Sequence, residues 1–463
     1  MNLAARLVDA HVDAGRGRAP AVLADGRPIS YSALQDRVRR LAAGLQAAGA
    51  APADRIVIAL PNGPDLIAVW LAVQHLGAIA VAVPHTVRRR ELEAIVTDAE
   101  PRLVVGDSDG QAVAGVDALS AGGGEAPPPH ASPPEAPAVI AYATAADGRP
   151  VGAWHSADAI LASADGYGRG ILNLGPGDIV GGHPPVALAY GLGALLVCPL
   201  AAGAATAPAA AFDAESLLGS IARDRVTVFF GTATCYRLLL RLPDLARRFD
   251  LSSLRACVSA GEPLDARISE AWSRAAGVDL LDGFGTTELF HIVIAQRPGQ
   301  VRHGALGRPV PGYEVRVVDD DVRDVPPGRE GRLAVRGPTG CRYWRRAGRE
   351  REVVRDGWTL TGDVVVRDED GFVWFRRRAD ALIVSAGYNV APAEVEAVLE
   401  AHPAVARATV SPAPDPTRGA IVSARIVLRP GAVPSADLAV ALQQHAQREL
   451  SPYKCPRRIE FVS

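Results

Sequence analysis

The chain has 463 residues, which is long enough for two or three domains, and its 48% hydrophobic and 22% charged residues are typical of a folded globular protein. The formal net charge of -2 gives no support for nucleic-acid binding, because nucleic-acid-binding proteins usually carry a basic excess. The basic residues are all arginines apart from a single lysine, Lys454. Any chemistry that needs a lysine therefore has one candidate in this sequence.

The cysteines and the apolar segments predict a cytoplasmic protein without disulfides, a zinc site or a membrane span. The five cysteines are scattered and include no CxxC pair. The first residues contain no apolar signal core. The most apolar stretch, residues 65–84, is interrupted by polar residues, and we interpret it as a buried helix followed by a strand.

Strand-like runs alternate with helical patterns along the first part of the chain. A helix is predicted at Pro64–His75, and the predicted strands are Arg55–Leu60, Ala78–Val83, Leu103–Val105, Val226–Phe230 and Arg255–Ser259. This alternation predicts a mostly parallel sheet covered by helices. Residues 106–137 are rich in Gly, Pro and Ala and are predicted to form a surface loop.

The pattern changes over residues 314–375, where alternating segments predict antiparallel strands with hairpin turns near Pro326–Gly328 and Asp368–Gly371. A small α+β domain is predicted to follow. Its predicted elements are a helix at Pro392–His402, strands at Ala406–Ser411 and Ala420–Leu428, a helix capped by Ser435 that reaches Leu450, and a strand at Arg458–Val462.

The predicted fold class is therefore α/β. A large N-terminal domain of mostly parallel sheets covered by helices, with an antiparallel β subdomain, spans residues 1–377. Residues 378–380 form a hinge, and residues 381–463 form the small C-terminal α+β domain.

Five segments carry a family resemblance: PPVALAYGLGALLVCPL, LLDGFGTTELFHI, GPTGCRYW, RDGWTLTGD and DALIVSAGYNVAPAEVEAVL. Taken in this order they resemble the adenylate-forming superfamily of AMP-dependent synthetases and ligases, and within it the benzoate- and 2-aminobenzoate-CoA ligases. The resemblance implies an acid–CoA ligase that uses ATP/AMP, Mg²⁺ and CoA and forms an acyl-adenylate. The implied partners are a small carboxylic acid, aromatic by preference, and CoA or a carrier-protein thiol. Nucleic acid and membrane are not implied as partners, and a homodimer stays open.

The segment Gly283–Glu288 combines glycines, two hydroxyls and a carboxylate, which together can hold a phosphate and Mg²⁺. The resemblance assigns Thr287 to the α-phosphate and Glu288 to the metal. A capped, solvated turn is the alternative interpretation of these residues.

Asp363 follows a tight glycine turn and offers two acceptor oxygens to vicinal ribose hydroxyls. The resemblance implies that Asp363 binds the ribose, that Arg378 assists in this binding, and that Asp380 is the hinge residue. The hinge match is partial, because Arg377 and Ala381 replace family residues. The residues that match the adenine-contacting strand ends are Gly261, Glu262, Pro263, Asp282 and Gly283.

The acyl pocket is implied by two segments that suit a flat ring, since they combine an aromatic side chain with small neighbours. Their residues are Ala189, Tyr190, Gly191, Gly285, His291 and Ile292. His291 is predicted to contact a carboxylate or a ring substituent, or else to be an ordinary buried histidine. Ser385 and Gly387 match the glycine loop that lines the pantetheine channel.

The pattern breaks at the phosphate loop, residues 143–152. Thr144 and Gly148 match the family's hydroxyl and glycine, but Val151 stands where the family has lysine. Asp147 is predicted to place a negative charge against a triphosphate, and Arg149, a substitute cation, sits two residues early.

The resemblance also implies a second catalytic lysine after the segment PYKCPRR, and we expect it to be absent because the sequence ends at Ser463. Severely impaired adenylation is the consequence predicted from these losses. Three hypotheses stay open: an acid–CoA ligase, a remodelled enzyme that acts on an acyl-AMP or acyl thioester, and a non-catalytic nucleotide- or acyl-binding homologue.

Overall fold

The computed structural model of the protein describes residues 1–106, 114–122 and 124–462. Two mostly parallel sheets lie before residue 310. Their strands are β1 (Pro20–Ala24), β2 (Arg27–Ser30), β3 (Arg55–Ala59), β4 (Ile79–Ala82), β5 (Leu103–Gly106), β6 (Pro137–Thr144), β7 (Pro150–Ser156), β8 (Ile179–Gly182), β9 (Ala205–Pro208), β10 (Val228–Gly231), β11 (Ala256–Ala260), β12 (Leu280–Gly285), β13 (Ile292–Ala295) and β14 (Arg308–Pro309).

The larger of the two sheets has the order β14-β13-β12-β11-β10-β8-β9-β1-β2, and the smaller has the order β5-β3-β4-β6-β7. The neighbours from β12 through β1 in the first sheet, and from β5 through β6 in the second, are parallel. The outer pairs are antiparallel. The predicted parallel architecture is therefore confirmed.

The remaining strands are β15 (Glu314–Val318), β16 (Glu330–Arg336), β17 (Val354–Arg355), β18 (Trp358–Arg367), β19 (Val373–Arg378), β20 (Ile383–Ser385), β21 (Tyr388–Val390), β22 (Val405–Asp415), β23 (Gly419–Leu428) and β24 (Arg458–Val462). Strands β15 to β19 form an antiparallel sheet, with the predicted turns between β15 and β16 and between β18 and β19. A separate three-stranded sheet, β22-β23-β24, belongs to the small domain, and β20 pairs with β21.

The helices cover the sheets. They are α1 (Tyr31–Ala47), α2 (Pro64–His75), α3 (Arg89–Ala99), α4 (Val116–Ala121), α5 (Ala157–Ser163), α6 (Ala189–Leu192), α7 (Cys198–Ala202), α8 (Ala214–Asp224), α9 (Ala233–Leu239), α10 (Leu245–Arg248), α11 (Ala266–Ala276), α12 (Ala347–Val353), α13 (Pro392–Glu400) and α14 (Ala436–Glu449). π-Helical segments occur at Ala5–Asp9, Val12–Arg16, Ala164–Arg169 and Gly193–Val197, and a 3₁₀ turn occurs at Thr287–Leu289.

Helix α2 shows why the most apolar stretch of the chain belongs to the core. Every residue from Leu66 to His75 is buried, and the Trp70 side chain is fully enclosed. Among the residues described, no helix combines the length and the apolar character that crossing a membrane requires. The helix instead packs against α1 in the main core cluster.

The predicted loop over residues 106–137 needs a correction. Its residues 107–113 and 123 lie outside the described residues, but Val116–Ala121 forms helix α4. Leu119 anchors this helix on α1, where Gly44 leaves the room: a Cβ at Gly44 would lie 1.9 Å from the Leu119 carbonyl oxygen. Burial of one leucine therefore outweighs a composition that favours loop.

The small domain has its own core, built from residues of α13, α14 and the β22-β23-β24 sheet. Helix α14 begins as predicted, since the Ser435 side chain accepts a hydrogen bond from the Leu438 amide at 3.1 Å. A large domain with parallel sheets and a smaller C-terminal domain are therefore both present. The exact hinge, residues 378–380, remains a prediction; in the structure these residues include the end of β19 and the turn that precedes β20.

Candidate active site

A cleft of about 1180 Å³ opens at the carboxyl ends of the parallel strands, between the large domain and the small one. Ligands of open α/β sheets usually bind at this edge, because the strand ends leave a crevice there. The predicted site residues that line the cleft are Thr144, Gly148, Ala189, Tyr190, Gly261, Glu262, Pro263, Gly283, Gly285, Thr287, Glu288, His291, Ile292, Asp363, Arg378, Asp380 and Gly387.

Three predicted residues lie outside that lining in the described part of the chain. Asp282 is buried within β12, where its Oδ1 accepts a hydrogen bond from the Gly283 amide at 3.0 Å. The Ser385 hydroxyl donates to the Ala420 carbonyl inside the small domain. Gly191 lines a second cavity of about 380 Å³, which is also lined by Thr232 and Gly387.

Thr287 and Glu288 sit on the turn between β12 and β13, which are antiparallel, so the chain must reverse at this point. Phe290 closes the turn with a φ of 68°, a conformation that a bulky side chain rarely adopts and that functional sites often retain. The buried His155 Nε2 donates to the Thr287 carbonyl at 2.8 Å. Burial lowers the pKa of His155 to about 4, so the ring is neutral at pH 7.

Glu288 has the chemistry of a magnesium ligand. Its Oε1 accepts a hydrogen bond from the Tyr343 hydroxyl at 2.9 Å, and the residue faces the cleft beside Thr287. The described residues contain no cluster of three or more His, Cys, Asp or Glu that could hold a metal. Since Mg²⁺ is commonly held by one or two carboxylates together with substrate phosphates, a single Glu288 fits this ion.

Asp363 on β18, Arg378 at the end of β19 and Asp380 just after it form a charged group in which Asp363 is buried and the other two residues are partly buried. The Asp363 Oδ1 accepts from Arg378 Nη1 at 3.1 Å, while Arg378 Nε donates to Asp380 Oδ1 at 2.8 Å. The Asp363 Oδ2 is buried and has no hydrogen-bond partner among the described residues. Burial raises the pKa of Asp363, against the opposing effect of Arg378. The unpartnered oxygen fits a ribose hydroxyl, which would supply the missing donor.

Some of the residues predicted to contact adenine make hydrogen bonds within the protein, and others line the cleft. The Glu262 carboxylate accepts from the Thr234 amide and, at 3.0 Å, from the Thr234 hydroxyl, and so it caps the start of α9. Gly261 and Pro263 line the cleft. Burial raises the pKa of Asp282 well above its usual range, against the opposing hydrogen bond from the Gly283 amide.

The predicted acyl pocket contains a buried histidine, His291, whose ring nitrogens make no hydrogen bond to the described residues. The residue is 2% exposed. The ring stacks on Tyr190 at 6.1 Å and meets the edge of Tyr167 at 5.2 Å between centroids. Burial lowers the pKa of His291 to about 3, so it offers one donor and one acceptor to a ligand.

Gly285 is required by this arrangement. A Cβ at Gly285 would lie 2.0 Å from the His291 carbonyl oxygen, closer than any side chain allows. The backbone of the β12 end can therefore approach the His291 segment only with glycine at this position. The neighbouring Tyr190 is fixed by a 2.8 Å hydrogen bond from its hydroxyl to the Gly231 carbonyl.

The phosphate loop is a closed turn between β6 and β7. Val151 is 5% exposed and packs with Ala145, Ala153, Cys341 and Tyr343 in an apolar cluster. The position of the family's lysine is thus filled by an apolar contact. Because Val151 faces this cluster, the valine that stands in place of the family's lysine contributes to the packing of the loop.

The two charges of the phosphate loop are not placed as the sequence predicted. Asp147 is exposed at the tip, where its Oδ1 accepts from the Arg149 amide at 3.1 Å, and it lies outside the described lining of the cleft. Arg149, expected to sit too early in the loop, does line the cleft. The turn reverses the chain between these residues, so a two-residue offset in sequence does not remove the cation from the site.

Sequence reasoning missed several residues of the cleft. Tyr343, the donor to Glu288, lies in the motif GPTGCRYW, but nothing in the motif indicates its partner. Arg349 reaches the cleft from α12, and Arg418 lines the second cavity. Lys454, which matches neither predicted catalytic lysine, also lines the cleft.

The chain matches two family models: AMP-binding enzyme over residues 9–344 and AMP-binding enzyme C-terminal domain over residues 394–463. It is 31% identical to the benzoate–CoA ligase of Thauera aromatica, with 100% of this chain and 92% of that protein covered. The chain therefore belongs to the AMP-binding enzyme family. The predicted class, an adenylate-forming CoA ligase that uses ATP/AMP and CoA, is confirmed, and the relatives favour it over the two alternatives.

Two solved structures resemble the whole chain, although their TM-scores differ. A double mutant of o-succinylbenzoate CoA synthetase (MenE) from Bacillus subtilis, bound with its product analogue OSB-NCoA, has a TM-score of 0.89 at 25% identity and covers 100% of this chain and 95% of its own. The anthranilate CoA ligase AuaEII in complex with anthranoyl-AMP has a TM-score of 0.77 at 29% identity, covering 100% and 93%.

Proposed function

We propose that the protein activates an aromatic carboxylic acid with ATP and transfers the acyl group to CoA. The observation that carries this proposal is the meeting of three groups at one cleft: the Asp363–Arg378 pair, the Thr287–Glu288 turn and the aromatic pocket around His291. A nucleoside, a phosphate with its metal and a flat ring can bind there side by side.

In the first step a carboxylate oxygen of the acid attacks the α-phosphorus of ATP, and pyrophosphate leaves. The Thr287 hydroxyl donates to the α-phosphate, and the Asp363 Oδ2 accepts from the ribose. Glu288 would hold Mg²⁺, which would supply positive charge to the phosphates. Arg149 offers a cation at the edge of the cleft.

In the second step the thiolate of CoA attacks the acyl carbonyl of the adenylate, a C–S bond forms and AMP leaves. We propose that the present domain orientation belongs to this step. Gly387 and Tyr388 of the small domain border the second cavity next to Thr232, which gives a thiol a route to the cleft. The higher TM-score to the synthetase bound with a CoA product analogue than to the ligase with an acyl-AMP supports this assignment.

The acceptor, the compartment and the assembly are parts of the same proposal. Arg418 beside the second cavity suits the phosphates of CoA, so CoA is proposed ahead of a carrier-protein thiol. Free, buried cysteines at all five positions suit the reducing cytoplasm that we propose. The homodimer stays a prediction, which sedimentation of the purified protein tests.

The experiment is a product assay with purified protein, ATP, Mg²⁺ and CoA. Benzoate, 2-aminobenzoate and 3-hydroxybenzoate are supplied in turn, with acetate as a non-aromatic control. We expect an aroyl-CoA and AMP in equal amounts, with little product from acetate. Absence of aroyl-CoA and of acid-dependent pyrophosphate exchange with every acid would contradict the proposal. If the protein converts synthetic benzoyl-AMP and CoA to benzoyl-CoA but forms no product from the free acid and ATP, the result would favour the remodelled enzyme.

A further inference from the structure

Lys454, the single lysine of the chain, lies where the two domains meet. Its ammonium bridges Glu91 on α3 of the large domain and Glu394 on α13 of the small domain, 2.8 Å from the Glu394 Oε2. Ser451 adds two hydrogen bonds to Glu91, one from its hydroxyl and one from its amide at 3.1 Å. We name this group, Glu91, Glu394, Ser451 and Lys454, the interdomain latch.

The latch is nearly excluded from solvent. The side chains of Lys454, Glu91 and Glu394 are only 5%, 9% and 12% exposed. Burial by itself would lower the pKa of Lys454, but the surrounding Tyr453, Glu91 and Glu394 raise its pKa above the ordinary value, so the lysine stays charged. Removing one member would leave a buried charge without its partner, which is why the group acts as a unit.

The latch is connected to the glycine loop that borders the second cavity. Tyr453, the neighbour of Lys454, stacks on Tyr388 with ring centroids 4.0 Å apart. The adjoining Gly387 lies against the large domain, since a Cβ there would be 3.1 Å from Thr232 Cγ2. A shift of Lys454 away from Glu91 would therefore move Tyr453 and, through it, Tyr388 and Gly387.

The latch also contacts the phosphate loop. Gly148, with a φ of 81°, faces Glu394 so closely that a Cβ would lie 2.9 Å from the Glu394 Cβ. Helix α3, the phosphate loop and the small domain thus meet at one ion-pair group. This arrangement fits one orientation of the small domain, because Glu91 belongs to the large domain and its partners to the small one.

We propose that Lys454 is a positioning residue of the acyl-transfer step: by bridging Glu91 and Glu394 it holds the small domain where Gly387 and Tyr388 border the thiol route. This inference rests on the two-step function proposed above. It gives the lone lysine a role that neither lysine of the family pattern has. Breaking the latch slows transfer from acyl-AMP to CoA and leaves formation of acyl-AMP in place.

The test uses Glu91→Gln, which removes the interdomain ion pair between Glu91 and Lys454 and leaves the Lys454–Glu394 pair inside the small domain. Glutamine also keeps the capping box of α3, in which Glu91 accepts from the Arg88 amide. The matched control is Glu93→Gln on the same helix, where the side chain is exposed and pairs with Arg89 at 2.8 Å.

We expect Glu91→Gln to slow benzoyl-CoA formation from synthetic benzoyl-AMP about tenfold, with acid-dependent hydroxamate formation changed by about twofold at most. Lys454→Met should show the same split, and Lys454→Arg should recover most of the loss because it keeps the charge. Glu93→Gln should match the wild type. Equal loss of both steps, or loss of neither, would overturn the proposed role.

A second readout does not depend on turnover. Acetylation by an amine-specific reagent, followed by peptide mapping, measures how accessible Lys454 is. We expect the wild type and Glu93→Gln to protect Lys454, and Glu91→Gln to be labelled about ten times faster. Equal labelling of wild type and Glu91→Gln would overturn the latch. If the wild type makes no benzoyl-CoA from benzoyl-AMP, both the proposed function and the kinetic role of Lys454 are contradicted. The labelling experiment then tests by itself whether the latch exists.

Discussion

The proposed nucleoside and acyl side of the cleft differs from the phosphate loop in how its polar groups are satisfied. Asp363 Oδ2 and both nitrogens of His291 are buried without a partner among the described residues. In the phosphate loop, by contrast, the Gly148 amide donates to the Ala145 carbonyl at 2.9 Å, and the Arg149 amide donates to Asp147. An unpaired buried polar group costs roughly 1–3 kcal/mol, so it is retained where a ligand completes it.

We therefore expect the nucleoside end to anchor the nucleotide and the loop to contribute less. A loop whose amides are already engaged has fewer donors to offer a triphosphate. Val151 adds packing instead of a charge. Four substitutions test the contrast.

The largest expected effect is at Asp363. Asp363→Ala removes both acceptors for the ribose while Arg378 keeps Asp380, so we expect about a 100-fold loss in kcat/KM for ATP. Steady-state kinetics and the thermal shift with AMP measure it. Asp370→Ala, an exposed carboxylate paired with Arg302, is the control. A loss of less than threefold would show that the nucleoside end is not the anchor.

The Val151→Lys variant tests whether a lysine at this position restores phosphate binding by the loop or disrupts its apolar packing. A lysine placed in the Val151 cluster must leave or disrupt it, so we expect the free energy of unfolding to fall by about 2 kcal/mol, with no gain in pyrophosphate exchange. Val151→Met separates the effect of size from that of charge. A tenfold gain in exchange would mean that the side chain reaches the cleft and that the site can be repaired.

The unpartnered imidazole of His291 in the proposed acyl pocket is expected to select for ring substituents. His291→Phe removes a donor and an acceptor that only a ligand can engage, so the kcat/KM ratio of 2-aminobenzoate to benzoate should fall about tenfold. Competition between the two acids in one reaction gives the ratio directly. An unchanged ratio would show that His291 serves only to pack against Tyr190.

Arg149→Gln carries the smallest effect. Arg149 is an exposed cation at the edge of the cleft. We therefore expect the variant to raise the KM for ATP about fivefold and to leave AMP binding unchanged. Raising the salt concentration should reduce the difference between variant and wild type. Arg351→Gln, on the exposed face of α12, is the matched control.

Local patterns were enough to predict much of the fold. The structure has α2 at Pro64–His75 and β24 at Arg458–Val462, which are the predicted bounds. These bounds were predictable because each segment contains its own apolar periodicity and is flanked by residues that end the element. Helix α4 was missed, since its stability comes from Leu119 packing on a distant helix.

The site was predictable where one motif holds its own chemistry, as in Gly283–Glu288. It was not predictable where two distant residues meet. Glu91 and Ser451 are 360 positions apart in the chain, and no local signal relates them. The direction of Val151 was likewise unpredictable, because it is set by Cys341 and Tyr343 across the fold.

The buried cysteines make the native chain a ready background for site-specific dye attachment. All five are free and enclosed, and burial raises the pKa of Cys198 and of Cys257 to about 12, so little thiolate forms at pH 7. Two cysteines introduced on the exposed faces of α12 and α14 would then be the reactive thiols. Single-molecule fluorescence transfer between them could follow the two domains during turnover without first replacing any native residue.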